Sequence, residues 1–229
     1  MKFLFPKSIF FFSIIWLTTA CNNPVDKNIP ADSSTAKTNP TPAVSQPIDT
    51  NFHDGDIIFQ TSNSGQSLAI QLATHSKYSH CGLLFKDEGR WYVYEAVQPV
   101  KRTVLQEWIN RGDDHYYAVE RLKNADSLLT EDVIMKMRKS ATAKLGKNYD
   151  LAFDWSDDRI YCSELVWKAY HDATGLEIGA LKKLGDFDLT NPIVKKKLND
   201  RYGKNIPLDE PMISPGNIFD SELLVKVRG

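Results

Sequence analysis

Residues 161–167 are Tyr-Cys-Ser-Glu-Leu-Val-Trp, and residues 78–85 are Tyr-Ser-His-Cys-Gly-Leu-Leu-Phe. The first stretch predicts the opening turns of an amphipathic helix with Cys162 at its N-terminus. The second predicts a strand with His80 near its start. A cysteine nucleophile needs a base within hydrogen-bonding reach and surroundings that favour the thiolate. Because the two stretches supply both residue types, they indicate a cysteine hydrolase.

Cys162 begins the apolar face of the predicted helix. The residues that follow it at helical spacing are Leu165, Val166, Ala169 and Tyr170, and this face is predicted to pack inward. The helix dipole and the unpaired N–H groups of the first turn favour an anion at this position, and the same groups suit an oxyanion. The alternative is a small buried core cysteine, because cysteine is among the most buried residue types.

His80 needs a partner before it can be given a role, because a lone histidine on a strand is more often structural. It shares a strand face with Gly82, which leaves the backbone open to close approach. Glu95 is the candidate partner, since it lies in the otherwise apolar and aromatic strand 91–97. A carboxylate there would fix the imidazole tautomer and stabilise its charged form. The alternative is a snorkelling or edge-strand glutamate.

The contact between His80 and Glu95 depends on the register of the hairpin that joins their strands. A loop with an even number of residues pairs Phe85 with Arg90. His80 then pairs with Glu95, and the two side chains share a face. An odd loop with Gly89 as a bulge places them on opposite faces.

The chain has three cysteines, and apart from Cys21 only Cys81 and Cys162 remain. Cys81 shares its strand face with Leu83 and Phe85, which predicts a core position. The alternative is a Cys81–Cys162 disulfide, since an exported domain can pair its cysteines.

Metal ions and nucleic acid are not predicted partners. His75 lies close to His80, and together with Cys81 and Cys162 it suggests zinc ligands, but no pair has the tight spacing of a zinc motif. The predicted chemistry needs neither a metal nor an organic cofactor. The net charge is −1, and no basic stripe is interleaved with aromatic residues, so nucleic acid is excluded. The lysine run at 195–197 is predicted to be a solvated helix face.

The N-terminus has the pattern of an export signal. Lys2 and Lys7 precede an apolar stretch at 9–17, which is short for a membrane span of about 20 residues. Residues 18–20 are small, and Cys21 follows them directly. This resembles a bacterial lipobox, although Thr18 stands where a leucine is usual.

The lipobox resemblance implies that residues 1–20 are a signal peptide and that Cys21 becomes the lipidated first residue. An ordinary secretory signal or an uncleaved anchor is the alternative. The segment 21–51 is rich in Asn, Pro, Ser and Thr, so it is predicted to be a flexible linker. Residues 52–229 are the length of one domain.

The elements of this domain come in blocks, which favours an α+β fold over a doubly wound sheet. The predicted strands are 55–60, 79–85, 90–97, 116–122 and 221–227. The predicted helices are 64–74, 105–110, 130–145, 161–174 and 191–202.

Five sequence blocks in a fixed order resemble the YiiX/YebB-like family, circularly permuted papain-like amidases related to NlpC-type cell-wall endopeptidases. The blocks are GDIIFQ at 55–60, ATHSKYSHCG at 73–82, YEA at 94–96, GKNYD at 146–150 and YCSELV at 161–166. The resemblance covers residues 52–229. It implies a permuted papain-like fold, an antiparallel sheet packed on helices, in which the histidine strand precedes the cysteine helix.

The resemblance also implies a role for each site residue. Cys162 is the nucleophile, His80 the base and Glu95 the orienting residue. Tyr149 matches a tyrosine that lines the site, and Tyr161 precedes the nucleophile, so both are candidates for substrate or oxyanion binding. Cys81 is a departure, since a valine is usual there.

The expected function is therefore an exported, membrane-tethered cysteine amidase that cleaves cell-wall peptides through a thioester. The partners expected are a cell-wall peptide or acyl-amide substrate and a membrane that holds the lipid on Cys21, with the domain facing the periplasm or the cell exterior. The alternatives are a lipid acyl hydrolase or acyltransferase, and a non-catalytic binding module that retains the pocket.

Overall fold

The computed structural model describes residues 51–229. The predictions for the signal peptide, for Cys21 and for residues 22–50 of the linker lie outside this range. Within residues 51–229, no helix combines the length and the apolar character that crossing a membrane requires.

A six-stranded antiparallel sheet organises the domain, with strand order β10-β5-β1-β2-β3-β4. Its strands are β1 (Ile57–Gln60), β2 (His80–Asp87), β3 (Arg90–Glu95), β4 (Lys101–Val104), β5 (Ala118–Leu122) and β10 (Leu224–Arg228). Two short pairs lie outside it. They are the parallel pair β6 (Asn148–Tyr149) with β7 (Arg159–Ile160), and the antiparallel pair β8 (Lys182–Lys183) with β9 (Pro211–Met212).

Seven α-helices are present in the described range. They are α1 (Ser67–Thr74), α2 (Leu105–Asn110), α3 (Ala125–Leu128), α4 (Glu131–Ala143), α5 (Cys162–Thr174), α6 (Pro192–Tyr202) and α7 (Pro215–Phe219). The mixture of helices with an antiparallel sheet confirms the predicted α+β fold.

Both faces of the sheet are covered, which explains the almost continuous apolar run of β2. One face, with Cys81 and Leu83, packs against the apolar side of α5 in the larger core cluster. The opposite face, with Leu84, packs on Trp108 of α2 in a second cluster. The alternation predicted for β2 is therefore confirmed, and it places α5 directly over the Cys81 face.

The hairpin between β2 and β3 differs in register from the prediction. Its turn has two residues, Glu88 and Gly89, which both have positive φ, as the tight turns of two-residue hairpins require. Asp87 therefore pairs with Arg90, so the pairing of Phe85 with Arg90 was wrong by two positions. The even loop length was right, and evenness decides which face each side chain occupies.

In the observed register His80 and Glu95 are diagonal neighbours. Tyr94 pairs with Leu83, so Glu95 lies beside Gly82 and not directly opposite His80, which corrects the predicted pair. A Cβ on Gly82 would lie 2.5 Å from a Val93 methyl group and 2.8 Å from the Tyr94 carbonyl oxygen. Only glycine fits there, and its missing side chain leaves room for His80 to reach Glu95.

Candidate active site

The N-terminus of α5 holds Cys162 in a fixed position. The Tyr161 N–H donates to Glu164 Oε2 at 3.2 Å, which closes the first turn. The Ser163 hydroxyl donates to the Ile213 carbonyl at 2.8 Å. Cys162 is the first residue of the helix and is 2% exposed, so its thiol lies at the floor of a cleft with unpaired backbone N–H groups beside it.

His80 links Cys162 to Glu95. Its Nε2 lies 2.7 Å from Glu95 Oε2, and both residues are buried. The Cys162 side chain is its second partner, and hydrogen bonding with it raises the pKa of the imidazole. Because Nε2 is engaged by Glu95, Nδ1 is the nitrogen left to face the thiol. The three residues predicted as a catalytic set are therefore in contact as one chain.

Glu95 accepts hydrogen bonds from more than His80. The Thr103 hydroxyl donates to Oε1 at 2.6 Å, and the Arg111 guanidinium donates to the same oxygen. Burial alone would raise the pKa of Glu95. The hydrogen bonds from His80 and Thr103 and the charge of Arg111 outweigh burial, and the pKa falls below its ordinary value. Glu95 is consequently a carboxylate at neutral pH.

Three residues around Cys162 and His80, the dyad of this site, were missed by the sequence analysis, namely Thr103, Trp108 and Arg111. The Trp108 ring is fully buried and stacks on the His80 imidazole, with centroids 5.9 Å apart and planes at 24°. Thr103 lies in β4, Trp108 in α2, and Arg111 directly follows α2. The only indication in the sequence was Glu95 itself, because a carboxylate in an apolar strand requires hydrogen-bond donors around it when it is buried.

The thiol and the imidazole shift each other's ionisation. The pKa of Cys162 is lowered well below its ordinary value, chiefly by a hydrogen bond from the Cys81 thiol, and also by His80 and the Cys81 backbone N–H, against the effect of burial. Burial would lower the pKa of His80, but hydrogen bonds to Cys162 and Glu95 raise it to about 9. Both shifts favour the form of the pair in which Cys162 is a thiolate and His80 an imidazolium.

Cys81 is buried in the core as predicted, with no exposed surface. Both Cys81 and Cys162 are free thiols, so the alternative disulfide is not formed in this structure. Burial, followed by the hydrogen bond to Cys162, raises the pKa of Cys81 well above its ordinary value. The pKa values of the two cysteines are therefore shifted in opposite directions.

This difference predicts selective alkylation. Iodoacetamide should label Cys162 below neutral pH and leave Cys81 unlabelled, because only Cys162 is a thiolate there. The rate should rise as pH passes the lowered pKa of Cys162. It should then change again near pH 9, where the raised pKa of His80 is reached and the imidazolium is lost. Peptide mass mapping over a pH series measures both, and preferential labelling of Cys81 would contradict the assignment.

Tyr149 lines the cleft on both the Cys162 side and the His80 side. Its hydroxyl accepts a hydrogen bond from Gln66 Nε2 at 3.1 Å. Burial, together with the negative charge of Cys162, raises the pKa of Tyr149 well above its ordinary value. The phenol therefore keeps its proton and is able to donate it to a developing negative charge.

Tyr161 is more closely tied to the fold. Its hydroxyl accepts from the Ile213 N–H at 3.2 Å, and its ring packs edge-on against Phe153 at 5.2 Å. The residue is 2% exposed, and its ring lines the cleft beside Cys162. Its contribution is thus to shape the cleft and to hold the helix start.

Asp150 fixes Tyr149 relative to Cys162. It is fully buried and accepts hydrogen bonds from the N–H groups of Ala152 and Asp154 at 2.9 and 2.6 Å. The pair β6–β7, with Tyr149 opposite Ile160, closes the same loop. The loop that precedes the nucleophile helix is therefore held at both ends.

The cleft around the dyad has two unlike halves that meet at Gln66 and Tyr149. The apolar half contains Cys162 and is lined mainly by Ala69, Ile70, Phe153, Leu184, Leu198 and Met212. The polar half contains His80 and is lined mainly by Ser62, Asn63, Ser64, Gln98, Asn110 and Arg111. A substrate that spans the dyad would thus meet two different chemistries.

His75 does not belong to the site. It pairs with Asp188 at 3.3 Å, and its side chain is 75% exposed. Within residues 51–229, no three side chains of His, Cys, Asp or Glu are grouped so that they could hold a metal ion.

Residues 51–228 match the family model of permuted papain-like amidase enzymes, the YaeF/YiiX or C92 family. The chain belongs to this family. The uncharacterized protein YiiX of Escherichia coli K12 is 50% identical over 173 residues, which are 76% of this chain and 84% of that protein. A crystal structure described as metalloprotein yiiX, from Escherichia coli O157:H7, has a TM-score of 0.73 and 51% identity, covering 76% of this chain and 95% of that one.

Membership of the YaeF/YiiX family confirms the permuted papain-like fold and the predicted enzyme class. The family consists of amidases, which favours an enzyme over the non-catalytic binding module. The permutation is visible along the chain, because the strand that carries His80 precedes the helix that carries Cys162.

Proposed function

We propose that this YaeF/YiiX-family amidase uses Cys162 as nucleophile, His80 as acid and base, and Glu95 as the residue that orients the imidazole. The observation that carries the proposal is the buried hydrogen bond between His80 and Glu95, together with a cysteine at a helix N-terminus whose ionisation and that of His80 shift each other. This is the nucleophile–base–orienter arrangement of acyl transfer.

In the first half of the reaction the Cys162 thiolate attacks the amide carbonyl carbon. The oxyanion that forms accepts hydrogen bonds from the Cys162 N–H and the Tyr149 hydroxyl. As the C–N bond breaks, the His80 imidazolium gives its proton to the leaving amine. A thioester on Cys162 remains, and His80 is then neutral and ready to act as a base.

Water completes the cycle. His80 removes a proton from the water as its oxygen attacks the thioester, and the oxyanion site is used again. The C–S bond breaks, the carboxylic acid leaves, and the thiolate–imidazolium pair is restored. Glu95 stabilises imidazolium in both halves, while Trp108 covers the imidazole face and limits its contact with water.

Cell-wall peptides are the substrate class that we propose first. The polar half of the cleft supports this, because its hydroxyl and amide side chains suit peptide groups. Arg111 adds a cation there, with 42% of its side chain exposed, and a guanidinium suits the carboxylates of a peptide. An exported and tethered enzyme would also face the cell wall.

The apolar half of the cleft favours a second candidate, an amide or ester with a long acyl chain. Cys162 lies in this half, and nearly all of the surrounding surface is apolar. Lys197 and Arg201 line the same half, so an acyl chain with an anionic head group would find complementary charge. A lipid acyl hydrolase or acyltransferase remains the alternative on this ground.

Turnover of different substrates decides between the two candidates. The wild-type chain and the Cys162→Ala variant are incubated with murein peptide fragments, with N-acyl amino acids and with phospholipid vesicles. Cell-wall chemistry predicts turnover of the first only, with an acyl adduct on Cys162 in the mass spectrum. Turnover of acyl substrates only would support the alternative, and equal rates in wild type and Cys162→Ala would overturn the mechanism.

We propose that the chain is an exported lipoprotein whose residues 1–20 are removed and whose Cys21 carries the lipid. The sequence pattern around Cys21 supports this. Anchoring then depends on a single residue, so Cys21→Ser should move the protein from the membrane fraction to the soluble fraction. Fractionation and immunoblotting measure the change, with Cys81→Ser as the matched control. Membrane sedimentation of the processed Cys21→Ser protein would contradict the anchor.

One relative is described as a metalloprotein. The described residues of this chain do not fit a metal ion, because they contain no group of three or more potential ligands. The mechanism proposed for this chain has no step that passes through a metal.

A further inference from the structure

Cys81 makes contacts that its role as a core residue does not explain. It is fully buried on the face of β2 that packs against α5. Cys162 begins α5 and belongs to the same buried cluster, and the thiol and backbone N–H of Cys81 both lower the pKa of Cys162 by hydrogen bonding. The side chain and the backbone of Cys81 therefore both act on Cys162.

A thiolate in this position needs donors, since its other neighbours in the core cluster are largely apolar. A buried anion is costly unless hydrogen bonds compensate for the lost water. The titratable groups that face Cys162 are His80 and Cys81 from β2, Tyr149 from β6 and the adjacent Tyr161. Of these, the His80 and Cys81 side chains lower the pKa of Cys162.

We propose that Cys81 is a positioning residue whose S–H group donates a hydrogen bond to Cys162 Sγ, stabilising the thiolate and holding it toward His80. The proposal rests on the proposed function in that Cys162 is the nucleophile. It adds a thiol to the groups that prepare the nucleophile.

The direction of the hydrogen bond follows from the two surroundings. Cys81 lies within the sheet, away from the helix N-terminus, and burial keeps it a protonated thiol. Cys162 lies at the start of α5, where the dipole and backbone N–H groups favour the anion. Cys81 is thus the donor and Cys162 the acceptor. A donated hydrogen bond makes the thiolate easier to form but also less nucleophilic, because nucleophilicity falls with pKa.

The test compares Cys81→Val, which keeps the approximate volume but removes the donor, with Cys81→Ser, which keeps a donor. The full chain of each variant is alkylated with iodoacetamide over a pH series, and modification of Cys162 is read by peptide mass mapping. Below the wild-type midpoint, Cys81→Val should react about threefold more slowly, because one lost hydrogen bond to a charged group leaves about tenfold less thiolate but each thiolate is about threefold more nucleophilic. At the plateau it should react about threefold faster, because the thiolate is more basic.

A packing effect would lower the alkylation rate of Cys81→Val at every pH. Loss of the hydrogen bond instead makes the variant slower than wild type at low pH and faster at the plateau, so the two rate–pH profiles cross. Leu83→Val, on the same strand face, controls for disturbed packing and should leave the profile unchanged. Overlapping wild-type and Cys81→Val profiles, a uniform loss without a crossing, or a Cys81→Ser profile like that of Cys81→Val would each overturn the proposal. The proposed function fails separately, through turnover that survives Cys162→Ala, since alkylation requires no substrate.

Discussion

Cys162→Ala and His80→Ala are each expected to lower kcat/KM by more than about 10³-fold, and the double variant should lose little more. The reason is that the two side chains act as one unit. The thiolate is stabilised by the imidazolium, and the imidazolium is stabilised by the thiolate and Glu95. Removing Cys162 removes the nucleophile, removing His80 removes the acid that protonates the leaving amine, and either change removes the ion pair.

Turnover of the preferred substrate is measured for both single variants and the double variant, with thermal unfolding as a check of folding. His75→Ala is the matched control, because this histidine lies near His80 in sequence but pairs with Asp188 at the surface. Its kcat/KM should stay within about twofold of wild type, as for most surface substitutions. Additive losses in the double variant, or a large loss in His75→Ala, would contradict the proposed pair.

The predictable parts of the site lie in elements whose apolar residues repeat at a clear helical or strand spacing. This spacing fixes which way each side chain faces. The apolar face that begins at Cys162 has helical spacing, and α5 packs that face inward. Alternation along β2 separates Cys81 from His80 correctly. Alternation does not say which helix covers each face, so the contact between Cys81 and Cys162 was invisible from sequence.

The hairpin shows where sequence reasoning reached its limit. Any loop with an even number of residues puts Glu95 on the same sheet face as His80. Their contact was therefore predictable, although the exact residue pairs were not. The turn was decided by Glu88 and Gly89, both with positive φ. A non-glycine residue with positive φ is uncommon, so the sequence favoured no particular even register.

The supports of Glu95 were not predictable because β4 lacks a hydrophobic pattern. Its sequence is Lys-Arg-Thr-Val at the edge of the sheet, and edge strands commonly carry charged residues. Arg111 follows the short helix α2 as its C-cap residue. Neither Thr103 nor Arg111 has a periodic neighbour that identifies it, and their role follows only from the three-dimensional position of Glu95.

Glu95→Gln should lower kcat/KM by about 10²- to 10⁴-fold, the range in which loss of an orienting carboxylate lies. Glutamine has only one side-chain oxygen, and Thr103 and Arg111 compete with His80 for it. If the oxygen faces them, the amide N–H₂ faces His80 and favours the wrong imidazole tautomer. Glu95→Ala should be worse, because orientation is lost and the buried Thr103 hydroxyl is left without its acceptor.

A matched control exists on the same sheet. Glu120 on β5 is also a buried glutamate but makes no contact with the dyad, so Glu120→Gln should leave kcat/KM close to wild type. Thr103→Val removes one donor to Glu95 while Arg111 keeps the carboxylate paired, so its effect should be about tenfold or less. Near-wild-type rates in Glu95→Ala would mean that another residue orients His80.

The pH profile distinguishes orientation from simple structural support. Glu95 is one of the two partners that raise the pKa of His80 to about 9 against the effect of burial. Without the negative charge that pKa falls, so the imidazolium is lost at a lower pH. The alkaline limb of the kcat/KM profile should therefore move to lower pH in Glu95→Gln, while it stays in place in Glu120→Gln. An unmoved limb in a folded Glu95→Gln protein would show that the carboxylate does not act through His80.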